Sequence, residues 1–259
     1  DAALEPLGVM AGTGEAPPTN AGTGLRARII SAIVLAAAAL AANVAGRLVF
    51  AAGVAALAAL VAWEWGRMVR QQGFDVQTVV HGGSVVLAVG LFASGLQWLA
   101  LTAVAAAAVA IAAMPGSNRA FSALGPLYVG LPALAMLTLR SGEDCGASMI
   151  LFIFMVVWAT DTFAFFCGRW LGGPKLWPRV SPNKTWSGSA GGLVAGMLVG
   201  LGFALFWRAS ASGLAWLAAV TGLVSVATQV GDLAESALKR RFATQDASRL
   251  IPGHGGVFD

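Results

Sequence analysis

The feature that most constrains this chain is a series of eight apolar runs separated by polar segments. The runs occupy residues 29–44, 48–62, 79–94, 96–114, 121–139, 149–167, 188–207 and 214–230. A helix crosses the hydrocarbon of a bilayer with about 20 apolar residues, and boundaries taken from sequence err by a few residues at each end. The sequence therefore predicts an all-α fold, a polytopic transmembrane helical bundle with about eight membrane helices.

The composition agrees with this class. Hydrophobic residues make up 58% of the chain and charged residues 11%, with a mean hydropathy of +0.76, far from the average of soluble domains. Residues 1–24 differ, because they combine Gly, Pro, Thr and acidic residues without periodicity. They also lack the charged-then-apolar order of a cleavable signal. We therefore expect a disordered leader over residues 1–24.

The distribution of Lys and Arg predicts the orientation of the bundle. With the N-terminus on the cytoplasmic side, only Arg47, Arg140 and Arg208 of the 16 basic residues fall outside, which leaves thirteen inside. Cytoplasmic segments of membrane proteins carry this excess, and a basic face suits anionic lipid headgroups. The net charge of +4 is thereby explained without a nucleic-acid partner.

Polar residues collect where the last three apolar runs meet the cytoplasmic face. Asp161 lies inside the sixth run, and an ionisable residue at membrane depth usually faces a polar cavity. The alternative is an acid that snorkels to the nearby interface. The loop at 169–187 has no acid and contains the motif SPNKT at 181–185. Its cations are Arg169, Lys175, Arg179 and Lys184.

Such a loop can bind phosphate oxygens through its cations and hydroxyl groups. An ordinary positive-inside loop explains the charges equally well, but it does not explain the order of residues in the motif.

The eighth run continues into a helix end with a polar stripe. Its members follow one another at i, i+3, i+4, i+7 and i+8, namely Asp232, Glu235, Ser236, Lys239 and Arg240, so they share one helical face. On such a face, the acid nearest the membrane can hold a metal ion. The cations one or two turns further along the helix can then hold phosphates. The alternative is a solvated helix end with a Glu235–Lys239 pair.

The final segment predicts a turn that can approach an anion. The motif PGHGG at 252–256 contains three glycines, whose N–H groups can approach an anion without side-chain interference. His254 can orient or protonate a phosphate, although a flexible turn with a hydrogen-bonded histidine is the simpler interpretation. The chain has two His and no CxxC or HExxH motif. Any metal would therefore have oxygen ligands, and Asp259 supplies a second acid.

Together these residues resemble a known family. The segment QVGDLAESALKR at 229–240, Asp246, and PGHGGVFD at 252–259 are similar to the signature of the phosphatidate cytidylyltransferases, the CDP-diacylglycerol synthases. The motifs around Asp161 and at 181–185 resemble two further sequence blocks of that family. The similarity found in this way covers residues 158–259, whereas the N-terminal helices match in hydropathy only.

The resemblance implies a membrane nucleotidyltransferase that makes CDP-diacylglycerol and pyrophosphate from CTP and phosphatidic acid. It implies Mg²⁺ as cofactor, with K⁺ as a second candidate cation and with Asp232 and Asp259 as metal ligands. The catalytic residues that it implies are Asp232, Lys239, Arg240, His254 and Asp259. The substrate-binding residues that it implies are Asp161, Ser181, Lys184, Thr185, Ser236, Asp246, Gly253, Gly255 and Gly256.

The resemblance also implies an organisation for the whole chain. Residues 25–145 form the N-terminal membrane helices and residues 146–259 the catalytic membrane region, which contains the cytoplasmic loop 169–187 and the signature 229–259. A homodimer in the bacterial inner membrane is expected, with membrane lipids around it and the active site facing the cytoplasm. The family pattern continues past Asp259 into another membrane helix, so a ninth helix is expected there.

Two departures from the family pattern keep alternatives open. Ser187 stands where the family commonly has Glu, and Gln245 stands where it usually has Lys. A catalytically weak or silent homologue that binds anionic lipid or CTP is therefore one alternative. An ion-coupled transporter is another, but it requires polar residues toward both membrane faces, and here they collect on one side.

Overall fold

The computed structural model describes residues 21–207, 210–248, 250–253 and 255–259. The described elements are α1 (Ala21–Ala45), α2 (Arg47–Arg70), α3 (Val76–Ala93), α4 (Gln97–Ala113), α5 (Arg119–Arg140), α6 (Gly146–Trp170), β1 (Lys175–Trp177), β2 (Ser181–Thr185), α7 (Trp186–Phe206) and α8 (Ala211–Arg241). The predicted all-α bundle of eight helices is confirmed. Residues 21–24, assigned above to the leader, instead begin α1, and residues 1–20 lie outside the described part.

The described helices have the length and surface of a membrane protein. Seven are long and apolar enough to cross a bilayer, and α4 is a shorter apolar helix of 17 residues. Large apolar side chains such as Trp98 and Phe206 are 81% exposed, and lipid can cover them without the cost of hydrating apolar surface. The chain is therefore an integral membrane protein. Its longest helix, α8, has 31 residues and extends about 46 Å, so its polar end projects beyond the hydrocarbon.

Side-chain contacts at the two ends of the bundle show that successive helices alternate in direction. At one end, the Asn118 amide before α5 donates to the Val69 carbonyl near the end of α2, 2.9 Å away. At the other end, the Arg140 guanidinium at the end of α5 donates to the Asn43 carbonyl near the end of α1, 2.8 Å away. Connections that the sequence analysis assigned to the same side of the membrane thus lie together.

Two packing units make up the bundle. The larger core lies among α2 to α6 and includes Phe50, Val85, Val104 and Ile150. In the second unit, α6 packs against α7 and α8. A buried hydrogen bond of 3.0 Å from the Thr160 hydroxyl to Ser225 joins α6 to α8. This second unit fixes the relative positions of the polar ends of α6 and α8.

The segment between α6 and α7 contains a small antiparallel hairpin. Lys175 pairs with Thr185, and Trp177 pairs with Ser181, whereas the sequence analysis treated residues 169–187 as a loop. Thr185 ends β2 and also caps α7, because its hydroxyl accepts a 3.1 Å hydrogen bond from the Gly188 N–H. Thr is a favourable residue at a helix N-cap. The hairpin therefore places Lys184 next to the beginning of α7.

Candidate active site

A polar cavity of about 570 Å³ lies where α6, the hairpin, α7 and α8 meet. Its volume falls within the usual range for small-molecule sites, roughly 300 to 1,000 Å³. The polar side chains that line it are Asp161, Arg169, Lys175, Asn183, Lys184, Thr185, Ser189, Gln229 and Asp232. Two lysines of the hairpin and Arg169 of α6 thus line the same cavity as carboxylates from α6 and α8. This arrangement is suited to a phosphorylated ligand with a cation.

An ion pair between the hairpin and α8 lines this cavity. The Lys184 Nζ atom lies 2.9 Å from Asp232 Oδ2, and the two side chains are 30% and 46% exposed. A pair this open contributes little to stability, about 0 to 1 kcal/mol. Both groups instead remain accessible to a ligand, which agrees with a binding role for Lys184 and Asp232.

The cavity offers ligands of the type that Mg²⁺ prefers. Asp161 and Asp232 both line it, and carboxylate oxygens are hard donors that suit this ion. The described residues contain no group of three or more His, Cys, Asp or Glu side chains placed to hold a metal. Mg²⁺ commonly binds to one or two carboxylates and completes its shell with water and substrate phosphates. The donor set therefore fits Mg²⁺ when a phosphorylated substrate is present.

A second contact joins α7 to α8 beside the ion pair. The Ser189 hydroxyl donates to Gln229 Oε1, and the Gln229 amide donates to the Ser189 carbonyl over 3.2 Å. Both residues line the cavity. Gln229 was only part of a motif in the sequence analysis and Ser189 was not considered, because a lone Ser in an apolar helix carries no recognisable signal.

Residues of the polar stripe on α8 contact different parts of the protein. Asp232 faces the cavity, whereas Lys239 binds Glu235 at 2.7 Å and Asp259 at 3.1 Å. The side chain of Lys239 is only 20% exposed. Its charge is thus balanced within the protein, and it holds the C-terminal segment against α8.

Asp259 anchors the segment formed by residues 246–259, here called the tail. Its Oδ2 atom accepts hydrogen bonds from the N–H groups of Gly256 at 2.7 Å and Ala247 at 2.9 Å. Its Oδ1 atom contacts Lys239. The side chain is 5% exposed, and Asp259 is not among the residues that line the cavity. Of the two predicted metal ligands, Asp232 therefore lines the cavity, whereas Asp259 is hydrogen-bonded within the tail.

The glycine turn of the tail is closed by its own hydrogen bonds. The Ile251 N–H donates to Gly255 O at 2.7 Å, and the Gly255 N–H donates to Ile251 O at 3.0 Å. Gly253 and Gly255 have positive φ angles of 80° and 111°, which glycine adopts without strain. The N–H groups of Gly255 and Gly256 thus have acceptors within the tail, and their approach to an anion stays a prediction. His254 lies outside the described residues.

Four other predicted site residues are not among those that line the cavity. Arg240 is exposed and donates to the Val180 carbonyl over 3.4 Å. Ser181 begins β2, Ser236 is partly buried on α8, and Asp246 is exposed in the tail. Arg169, in the last turn of α6, lines the cavity together with Lys175 and Lys184 of the hairpin, whereas Arg179 does not.

The Ser187 departure fits the local structure. The Ser187 hydroxyl donates to the Gly172 carbonyl and lies 3.0 Å from the hydroxyl of Thr185. It therefore ties the preceding loop to the start of α7. Gln245, the other departure, is exposed just before the tail.

One buried carboxylate near the tail was missed in the sequence analysis. Glu64 on α2 is fully buried and accepts hydrogen bonds from the N–H groups of Val257 and Phe258. A lone acid two residues past the second apolar run, close enough to belong to the same membrane helix, is the signal that could have revealed it.

The fold and the cavity together define a polytopic membrane enzyme. The chain belongs to the cytidylyltransferase family, whose model matches residues 26–259. The family resemblance is confirmed, and the match also includes the N-terminal helices, which the sequence analysis had matched in hydropathy only.

Individual relatives agree with this assignment. The phosphatidate cytidylyltransferase of Brucella abortus is 39% identical over 240 residues, which cover 91% of this chain and 87% of that protein. The phosphatidate cytidylyltransferase of Bacillus subtilis is 38% identical over 139 residues, covering 54% of this chain and 51% of that protein. That of Staphylococcus saprophyticus is 42% identical over 142 residues, which cover 55% of this chain and 53% of that protein.

Proposed function

We propose that this protein transfers the cytidylyl group of CTP to phosphatidic acid, forming CDP-diacylglycerol and pyrophosphate. The observation that carries the proposal is the cavity in which the Lys184–Asp232 pair lies beside Arg169 and Lys175. The similarity to phosphatidate cytidylyltransferases over most of the chain supports the choice of substrates.

In the proposed reaction, a phosphate oxygen of phosphatidic acid attacks the α-phosphorus of CTP. A new phosphorus–oxygen bond forms, and the bond from the α-phosphorus to the oxygen bridging the α- and β-phosphates breaks. Pyrophosphate leaves with the bonding electrons. Such transfers depend on positioning and charge stabilisation. Lys184, Arg169 and Lys175 supply the positive charges, and charge-assisted hydrogen bonds to phosphate are among the stronger ones.

Mg²⁺ is the proposed cofactor, with Asp232 as its first protein ligand and Asp161 as a second. When bound, the ion would neutralise phosphate charge that the lysines and arginine leave uncompensated. Asp259 remains a predicted ligand, but its hydrogen bonds within the tail favour an anchoring role. K⁺ remains a candidate on the basis of the family resemblance alone.

The proposed location is the bacterial inner membrane, with the cavity open to the cytoplasm. The hairpin that lines the cavity belongs to the side that carries the excess of Lys and Arg, as expected for a cytoplasmic face. CTP would then arrive from the cytoplasm while the acyl chains of phosphatidic acid stay in the bilayer. A homodimer is proposed from the family resemblance only.

The test uses the full chain in vesicles that contain phosphatidic acid. With Mg²⁺ present, label from [α-³²P]CTP should enter the lipid fraction, whereas label from [γ-³²P]CTP should appear in pyrophosphate in equal amount. Vesicles of phosphatidylcholine alone provide the control. Binding of CTP without transfer of the α-label would overturn the proposal and would identify a catalytically silent homologue.

A further inference from the structure

A fully buried carboxylate from the N-terminal half of the chain binds the tail. Glu64 on α2 is 0% exposed. It accepts hydrogen bonds from the Val257 N–H at 2.9 Å, the Phe258 N–H at 2.6 Å and the hydroxyl of Ser248. These donors lie between 184 and 194 residues away along the chain. The contact therefore joins α2 to the segment that carries the end of the family signature.

The geometry is suited to a carboxylate rather than to an amide. Oε1 of Glu64 accepts from Ser248 and Val257, and Oε2 accepts from Phe258. A glutamine has one oxygen acceptor, so its amide nitrogen would face an N–H donor. Burial of a charge is costly unless hydrogen bonds compensate it. Three donors converge here, which explains how a carboxylate is tolerated inside α2.

Close packing leaves the tail little freedom around Glu64. A Cβ atom at Gly256 would lie 2.5 Å from Glu64 Oε1, so only glycine allows this approach of the backbone. The ring of Phe258 lies 6.0 Å from that of Trp65, the next residue on α2, and 5.9 Å from that of Tyr128. The same turn of α2 thus holds the tail through hydrogen bonds and through aromatic contact.

Contacts from α1 and α8 also hold the tail. The Arg28 guanidinium on α1 donates to the Gly253 carbonyl over 2.6 Å. From α8, Lys239 binds Asp259. The tail is therefore fixed between the beginning of the bundle and its last helix, and Glu64 provides its buried contact.

We propose that Glu64 is a positioning residue for cytidylyl transfer. It fixes Ser248, Val257 and Phe258 without touching the substrate. Through the Asp259–Lys239 contact, it thereby holds the tail against α8, the helix that carries Asp232 into the cavity. This inference rests on the proposed function. The cavity at α6 to α8 is built from other elements, so loss of Glu64 should impair turnover more than the binding of CTP.

The kinetic test compares Glu64→Gln and Glu64→Ala with Glu143→Gln, a change at an exposed glutamate between α5 and α6. We expect kcat to fall at least tenfold in both Glu64 variants, while the dissociation constant for CTP changes less than threefold. The Glu143 variant should match the wild type. Wild-type kcat in Glu64→Ala, or an equal loss of CTP binding and turnover, would overturn the proposal.

Hydrogen exchange supplies a readout that does not depend on turnover. In the Glu64 variants, the amides of Val257 and Phe258 should exchange at least tenfold faster, whereas amides of α7 should keep wild-type protection. Unchanged protection at Val257 and Phe258 would overturn the proposed anchor. If the wild type fails to transfer the label but this exchange result holds, the proposed reaction fails while the anchor stands.

A double-mutant cycle tests whether Glu64 and Gly256 act together. Gly256→Ala should lower kcat at least tenfold in the wild-type background, because the added methyl group meets the Glu64 carboxylate. In the Glu64→Ala background the same change should lower it less than threefold. Additive losses would contradict the proposed contact. A folded Gly256→Ala protein with normal activity would contradict it as well.

Discussion

Lys184 on β2 donates a hydrogen bond to Asp232 on α8 across 2.9 Å, although 48 residues separate them in the chain. The pair bridges the hairpin and the helix that form two walls of the cavity. Because both side chains are partly exposed, an incoming phosphate can compete with Asp232 for Lys184. Substrate binding would then release the carboxylate to bind a cation.

Substitution of Lys184 tests the cationic side of the pair. We expect Lys184→Met to lower kcat/KM for CTP about 30- to 160-fold, because loss of a charge-assisted phosphate contact costs about 2 to 3 kcal/mol. Arg179→Met is the matched control, because Arg179 is exposed in the same connection and does not line the cavity. Similar losses in both variants would indicate a general effect of loop charge.

Substitution of Asp232 tests the acidic side. We expect Asp232→Asn to lower turnover by more than 1,000-fold, or about 4 kcal/mol, because the amide keeps the shape but loses the charge that attracts a divalent cation. Asp144→Asn, at an exposed position between α5 and α6, should be neutral. Activity within tenfold of wild type in Asp232→Asn would remove Asp232 from the proposed metal site.

The Mg²⁺ dependence of activity in an Asp259 variant distinguishes an anchoring role from a metal-binding role. If Asp259 anchors the tail, Asp259→Asn lowers kcat but leaves the Mg²⁺ concentration for half-maximal activity within twofold of wild type. The physical reason is that its oxygens already accept hydrogen bonds from Gly256 and Ala247. A rise of tenfold or more in the required Mg²⁺ would instead support the metal ligand that the sequence predicts.

A separate prediction concerns acid stability at the connection between α2 and α3. Burial by itself raises the pKa of Asp75, but the hydrogen bonds from Arg70 and Thr78 outweigh it, so the pKa lies below its ordinary value of 3.8. The ion pair at 2.6 Å therefore stabilises the fold fully above the ordinary pKa. Its contribution is lost as the pH falls through the lowered pKa of the folded protein.

We expect Asp75→Asn to lower the free energy of unfolding by about 2 kcal/mol at pH 7. Asn still caps a helix, so this variant removes the charge and leaves the cap. Denaturation in detergent at several pH values measures the effect. The difference from wild type should be constant above about pH 5 and shrink below the ordinary pKa. A difference that does not depend on pH would contradict the ion pair.

The helices could be predicted because the length of an apolar run relates directly to bilayer thickness. The hairpin could not, since its strands have three and five residues and the second contains Pro182, which argues against a strand. The stripe on α8 was predicted from helical spacing, but spacing does not tell which partner each side chain meets. Asp232 binds Lys184, whereas Lys239 binds Asp259.

The tail was the least predictable part of the site. Its glycines suggested free N–H groups, but acceptors from Ile251 and Asp259 occupy those of Gly255 and Gly256. Glu64 gave only a weak signal in the sequence, that of a single acid in an apolar helix. Its hydrogen-bond partners could not be predicted, because they lie nearly 200 residues away along the chain. Contacts at such separation depend on the tertiary fold, and local sequence does not encode them.

The hydrogen bonds from the tail to Glu64 have a consequence for biosynthesis. Val257 and Phe258 leave the ribosome 193 and 194 residues after Glu64, by which time all eight helices have been made. A nascent chain that stops earlier holds an acidic group inside α2 without its hydrogen-bond donors, which is costly in an apolar environment. Translation as far as Phe258 is thereby coupled to the stability of the first helices, so products truncated before it should be the better substrates for membrane proteases.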